Sequence, residues 1–92
     1  MLNVLIIEDD EKLATLVQEF CARYDIKVAV ELLPSTGLTR LKKESFDAVI
    51  LDVMLPEMDG FEVCETIRNF SEIPIIMLTC LLYTSPSPRD RG

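Results

Sequence analysis

Apolar residues in this chain come in short dense runs, each cut off by carboxylates or turn residues, with stretches of helical periodicity between them. Asn3–Ile7 (NVLII) is continuously apolar after its first residue and stops abruptly at Glu8-Asp9-Asp10-Glu11. Such a run predicts a strand of a parallel sheet, buried on both faces, rather than an alternating surface strand. Leu13, Leu16, Val17, Phe20, Cys21 and Tyr24 then recur at helical spacing and predict an amphipathic helix with that stripe toward the core. Asp9 or Asp10 is available as its N-cap. Ile26, Val28, Val30 and Leu32 alternate with Lys27, Ala29 and Glu31, which predicts a strand with one partly exposed face. Pro34-Ser35-Thr36-Gly37 reads as punctuation before a short helix carrying Leu38 and Leu41. Asp47–Leu51 (DAVIL) is a second buried run, and it also ends in a carboxylate, Asp52. After the loop VMLPEMDG, with Pro56 and Gly60 as breakers, a third helix is expected to turn Phe61, Cys64, Ile67 and Phe70 inward. Asp59 and Glu62 have the spacing of a capping box at its start. Ile73–Leu78 (IPIIML) is a third buried run, ending at Thr79. Strand and helix alternate throughout, so the expected class is α/β with a parallel sheet and right-handed crossovers.

Composition narrows the function. The 92 residues hold 16 acidic and 9 basic side chains, a net charge of −7. That balance argues against a nucleic-acid surface, which needs a positive patch to displace counterions, and against a polybasic membrane anchor. No apolar run approaches the roughly 20 residues of a membrane span. The chain has no histidine, which excludes imidazole general bases and imidazole metal ligands. Cys21, Cys64 and Cys80 form no CxxC pair, so a reduced, cytoplasmic setting is expected.

In open parallel sheets, ligands sit beyond the carboxyl ends of the strands. Three of the predicted strands end in polar residues: Glu8-Asp9, Asp52 and Thr79. If those strands are neighbours, three carboxylates converge beside a hydroxyl, an arrangement that is unfavourable unless a cation relieves it. A ligand set of hard oxygens suits Mg²⁺. Each residue also has an ordinary structural role open to it. Asp9 and Asp10 are candidate helix caps, Asp52 a candidate Asx-turn residue and Asp59 a cap. Cys21 and Cys64 suit core packing.

The segments VLIIEDDEKL, DAVILDVMLPEMDGFEVCETIR and PIIMLT together resemble the receiver domain of bacterial two-component response regulators. The resemblance implies a flavodoxin-like doubly wound parallel sheet, here incomplete: four strands and three helices, without the family's last helix, strand and helix. It implies that Asp52 is the phosphoacceptor and that Thr79 is the switch hydroxyl. Asp9 would bind Mg²⁺ directly, Glu8 mainly through water, and the Met54 backbone carbonyl would be a further ligand. Pro56 and Gly60 would shape the loop after Asp52. The implied phosphoryl donor is a phosphohistidine on a sensor histidine kinase. The implied partner within the full-length protein is an output domain, often DNA-binding. The expected activity is self-phosphorylation and autodephosphorylation rather than enzymatic turnover. The main alternative is a Mg²⁺-dependent phosphatase with an aspartate nucleophile. Such enzymes usually carry a second aspartate two residues on, where this chain has Met54.

The resemblance covers residues 1–79 and stops at Thr79. Residues 80–92 hold Pro86 and Pro88, which forbid a helix there, and no lysine follows Lys43 although the family expects one on its fifth strand. A choice of codons for Cys80 through Asp90 reproduces, without mismatch, a transposase adapter string used in sequencing-library preparation. Residues 80–92 are therefore expected to be a non-native or disordered tail, and the partial receiver in front of them to be impaired in phosphotransfer and in folding.

Overall fold

The computed structural model describes residues 1–78; Thr79 and the expected tail of residues 80–92 lie outside the described residues. Four strands and three helices alternate as expected. They are β1 (Leu2–Ile7), α1 (Glu11–Ala22), β2 (Ile26–Glu31), α2 (Pro34–Lys43), β3 (Ala48–Asp52), α3 (Gly60–Arg68) and β4 (Ile75–Leu78). The strands form one sheet in the order β2-β1-β3-β4, and every pairing is parallel.

The run NVLII is explained by this order. As an inner strand between β2 and β3, β1 alternates its side chains between two separate cores. Leu5 and Ile7 point to the face covered by α2 and α3, where they join Val49, Leu51, Val63 and Ile67. Val4 and Ile6 point to the opposite face, joining Ala14 of α1 and Val28. Leu5, Ile6, Ile7, Val49 and Leu51 are fully buried, each contributing about 1.5–3 kcal/mol of hydrophobic stabilisation. Helices on both faces of a parallel sheet make the fold doubly wound, as expected.

The helices depart from the periodicity reading in phase. On α1 the buried residue is Ala14, with Val17 and Cys21 packed beside it, while Leu16, Phe20 and Tyr24 are more than half exposed. Phe20 and Tyr24 instead meet each other, ring centroids 5.3 Å apart. On α3 the inward line is Gly60, Val63 and Ile67, and Phe61 is exposed. In both helices small or β-branched side chains take the sheet contact and the aromatics are displaced to the flank. The expected punctuation at Pro34-Ser35-Thr36-Gly37 is the first turn of α2, with Pro34 at its start, where its missing N–H is not needed. Gly37 lies against β1 so closely that a Cβ there would come within 2.5 Å of the Ile7 side chain.

The topology places the site. The chain leaves β1 for β2 on one side, then crosses to β3 on the other. The crevice where such a sheet reverses direction therefore lies between the carboxyl ends of β1 and β3.

Candidate functional site

Glu8 follows β1 directly and extends its ladder, its N–H donating to the Glu31 carbonyl at 3.0 Å. This fixes its side chain at the sheet's carboxyl edge, where it is 1% exposed. Asp52 is the last residue of β3 and is also buried. Asp9, one residue beyond Glu8, is exposed. One carboxylate oxygen from each of Glu8, Asp9 and Asp52 falls within 4.8 Å of the others. The three acids read as converging are brought together.

Hydrogen bonding separates the structural roles from the chemical ones. The N-cap of α1 is Asp10, whose Oδ1 accepts from Lys12 N–H at 3.0 Å and Leu13 N–H at 3.3 Å. Asp9 is thereby left to the crevice. Asp59 caps α3 in a complete capping box, accepting from Glu62 N–H at 2.9 Å while its own N–H donates to the Glu62 carboxylate. Asp52 has the Asx-turn bond as well as its place in the cluster: Oδ1 accepts from Met54 N–H at 3.2 Å. Met54 turns its side chain to solvent, 77% exposed, so the position two residues after Asp52 carries no acid or base. Thr79, expected as the hydroxyl of the site, lies outside the described residues.

Glu8 is the electrostatic oddity. Its Oε2 accepts from Asp10 N–H at 2.9 Å, but its Oε1 is buried with no hydrogen-bond partner among the described residues. Loss of hydration raises its pKa from 4.5 to about 7; the Asp10 N–H opposes this, and the neighbouring Asp52 and Asp9 carboxylates add to it. A buried acceptor without a donor is costly. Here it faces two further carboxylates in a chain with no histidine. An all-oxygen, net-negative cluster with an unsatisfied inner oxygen fits a hard divalent cation, Mg²⁺ in particular.

The backbone around Asp52 is held closely. Gly60 N–H donates to the Val53 carbonyl at 2.8 Å, and Val53 N–H to the Leu78 carbonyl at 3.3 Å. A Cβ on Gly60 would collide with the Asp52 carbonyl oxygen, come within 2.9 Å of the Met77 side chain and within 3.0 Å of Val53 Cα. Glycine lets α3 start directly against the residue that ends β3.

One connection was not legible in the sequence. Ser35, in the first turn of α2, donates its N–H to Glu57 Oε1 at 3.0 Å and its hydroxyl to Oε2 at 3.2 Å. The two residues are 22 positions apart, and Glu57 lies in the loop after Asp52 with φ 66°. No local pattern announces a cap supplied from that distance.

A cleft of about 460 Å³ lined by Leu41, Phe46, Phe70 and Ile73 lies toward the amino ends of β3 and β4, away from the acids.

Comparison with known proteins gives a consistent likeness. A family profile described as the response regulator receiver domain matches residues 4–85, running past the Thr79 boundary read from the sequence. The transcriptional regulatory protein AfsQ1 of Streptomyces coelicolor is 42% identical over 79 residues, which is 86% of this chain and 35% of that protein. The heme response regulator HssR of Staphylococcus epidermidis is 38% identical over the same shares. The chain thus spans about a third of the length of these curated relatives. Among solved structures, the BeF3-activated N-terminal receiver domain of Klebsiella pneumoniae RstA superposes with a TM-score of 0.80 at 32% identity, covering 84% of this chain and 66% of that one. The response regulator TrrA of Thermotoga maritima, solved in complex with Mg(2+)-BeF, gives 0.82 at 26% identity, covering 86% of this chain and 70% of that one.

Proposed function

The chain belongs to the response regulator receiver domain family, and on that premise we propose that Asp52 accepts a phosphoryl group from a sensor histidine kinase. The observation that carries this reading is the convergence of Glu8, Asp9 and Asp52 within 4.8 Å at the sheet's reversal point, with Glu8 Oε1 unsatisfied. Glu8, Asp9, Asp52 and the Met54 carbonyl would hold Mg²⁺, which supplies charge neutralisation and alignment for the incoming phosphoryl oxygens.

The chain's own residues account for the rest. Asp52 Oδ1 is engaged by Met54 N–H, which orients the carboxylate and leaves Oδ2 as the attacking oxygen. A P–O bond forms at that oxygen as the donor's P–N bond breaks, and the imidazole leaves with the electron pair. Burial of Asp52 at the end of a rigid strand supplies position, the main requirement of phosphoryl transfer. Thr79 would meet the added phosphoryl group with its hydroxyl and relay the change.

The product is a phosphoaspartate rather than inorganic phosphate turned over from free phosphate esters, so the role is that of a phosphoacceptor that also hydrolyses its own phosphoaspartate. The relatives' names, a transcriptional regulatory protein and response regulators, support a full-length protein that regulates transcription through a DNA-binding output domain. Among the described residues no helix is long and apolar enough to cross a membrane; with unpaired Cys21 and Cys64, this supports a cytoplasmic setting. Incubation with acetyl phosphate tests the site. Weak incorporation into the chain that requires Mg²⁺ and disappears in Asp52→Asn is the expected result. Labelling that persists in Asp52→Asn, or that is indifferent to Mg²⁺, refutes it.

A further inference from the structure

Glu57 is in the left-handed region at φ 66°, a conformation that disfavours a residue with a Cβ and a long side chain. Something must hold it there. The N-cap residue of α2, Leu33, offers no side-chain acceptor, and Pro34 has no N–H to donate. Ser35 N–H is thus the first free donor of the helix. Glu57 takes it, together with the Ser35 hydroxyl, through both carboxylate oxygens. A negative charge at a helix N-terminus is also favoured by the helix dipole. The segment so tied is short. It leaves β3 at Asp52, passes Met54 and Pro56, and re-enters α3 at Asp59 and Gly60, where a capping box and the Gly60–Val53 bond anchor it. Between those ends, Val53 N–H reaches the Leu78 carbonyl of β4 and Leu55 and Met58 pack on the core, while the bond to Ser35 is the tie to α2.

We propose that Glu57 is a positioning residue: by tying the loop to the N-terminus of α2, it holds Met54 beside Asp52 and so sets the affinity of the acidic cluster for Mg²⁺. Glu57 touches neither the cation nor the phosphoryl group. It acts through the backbone of residues 53–56, which precede it on the same loop, Met54 lying three positions before it. The strained φ and the tie belong together, since relaxing Glu57 to an ordinary conformation would re-aim the peptide that carries Met54. This inference rests on the Mg²⁺ reading of the Glu8–Asp9–Asp52 cluster.

The test uses the ¹⁵N-labelled full chain and two readouts: amide exchange of Met54 without metal, and MgCl₂ titration at low ionic strength, where the charged tie is least screened. Glu57→Ala and Glu57→Gly both remove the tie, but only glycine also relieves the strain. Both are expected to raise the Mg²⁺ dissociation constant about 3- to 10-fold and to speed Met54 exchange. Glu57→Gln keeps an acceptor for Ser35 and is expected to stay within about twofold of the parent chain. Urea midpoints separate fold from site: Glu57→Gly should unfold no earlier than Glu57→Ala while binding Mg²⁺ equally poorly. Parent-like Mg²⁺ affinity in both Ala and Gly variants overturns the proposal, and so does recovery in Glu57→Gly alone, which would make strain the sole factor. A parent chain that does not respond to Mg²⁺ overturns the metal reading and this inference together.

Discussion

Replacing Glu8 by Gln is expected to stabilise the metal-free fold at neutral and alkaline pH while abolishing its response to Mg²⁺. Glu8 is 1% exposed, one of its oxygens has no partner among the described residues, and burial pushes its carboxyl up to about 7 in the fold against an ordinary 4.5. Below pH 4.5 the folded and unfolded chains both hold this proton, and burial carries no charge penalty. Between 4.5 and about 7 the folded chain holds it more tightly, so stability falls as pH rises. Above about 7 the whole penalty is in force. That interval corresponds to about 3 kcal/mol, at roughly 1.4 kcal/mol per tenfold change in proton affinity. Glutamine has nothing to ionise, and its amide N–H can donate to the Asp52 or Asp9 carboxylate. Unfolding followed by circular dichroism in EDTA, from pH 5 to pH 8.5, reads the difference. The two stability curves should lie within about 1 kcal/mol of each other at pH 5 and separate by about 3 kcal/mol at pH 8, a midpoint shift of roughly 10 °C or more for a domain of this size. Saturating Mg²⁺ should then stabilise the parent chain alone, by about 2.7 kcal/mol at a hundredfold excess over its dissociation constant, which nearly closes the gap at pH 8. A constant offset across the pH range, or a Gln variant that is the less stable at pH 8, would refute the reasoning.

Further substitutions probe the supports of the site. Gly60→Ala gains about 1 kcal/mol of helix propensity but drives a methyl into the Asp52 carbonyl. A net destabilisation of about 1–3 kcal/mol and weakened acetyl phosphate labelling are expected; an unchanged urea midpoint with normal labelling would show that α3 can move away freely. Asp10→Ala should lower stability by about 1 kcal/mol through loss of the α1 cap while keeping Mg²⁺ binding, as read by calorimetric titration. Asp9→Asn should do the reverse, and identical behaviour of the two variants would mean that cap and ligand have been assigned to the wrong neighbours.

The strands were legible because their chemistry is simple. An inner strand of a parallel sheet is buried on both faces, so NVLII and DAVIL could be read directly, as could the carboxylates that stop them. The helices were less legible. Leu16, Phe20 and Tyr24 fit the helical period, yet the contact with the sheet is made by Ala14, a small residue that lets α1 approach closely. Periodicity finds an apolar stripe but does not fix which edge of a broad stripe faces inward. The Pro34–Gly37 segment misled for a related reason: proline and glycine suggest a turn, but proline also suits a first helical position, and Gly37 lies closely against the packed Ile7 side chain. At the site, Glu8, Asp9 and Asp52 were legible as strand ends. The choice between Asp9 and Asp10 as cap was not, since both spacings are acceptable until the N–H groups of Lys12 and Leu13 are placed. The Glu57–Ser35 tie was invisible because neither residue belongs to a local motif.

These observations also explain why so unfavourable a residue as Glu8 can occupy the centre of the sheet edge. β1 must be apolar up to Ile7 to serve two cores, and the next residue necessarily emerges beneath the loops at the reversal point. The five fully buried aliphatics of β1 and β3 pack on both faces of the sheet directly before Glu8 and Asp52. The core therefore supports the unfavourable burial of Glu8, which lies at the sheet edge where a cation would relieve it. Local rules of burial fail at Glu8 and hold at Leu5, Ile6 and Ile7 immediately before it, which is the pattern expected where a fold has been built around a functional group. Because Glu8 Oε1 has no partner among the described residues, a cation bound there would couple occupancy of the site to the stability of the sheet edge through a single side chain.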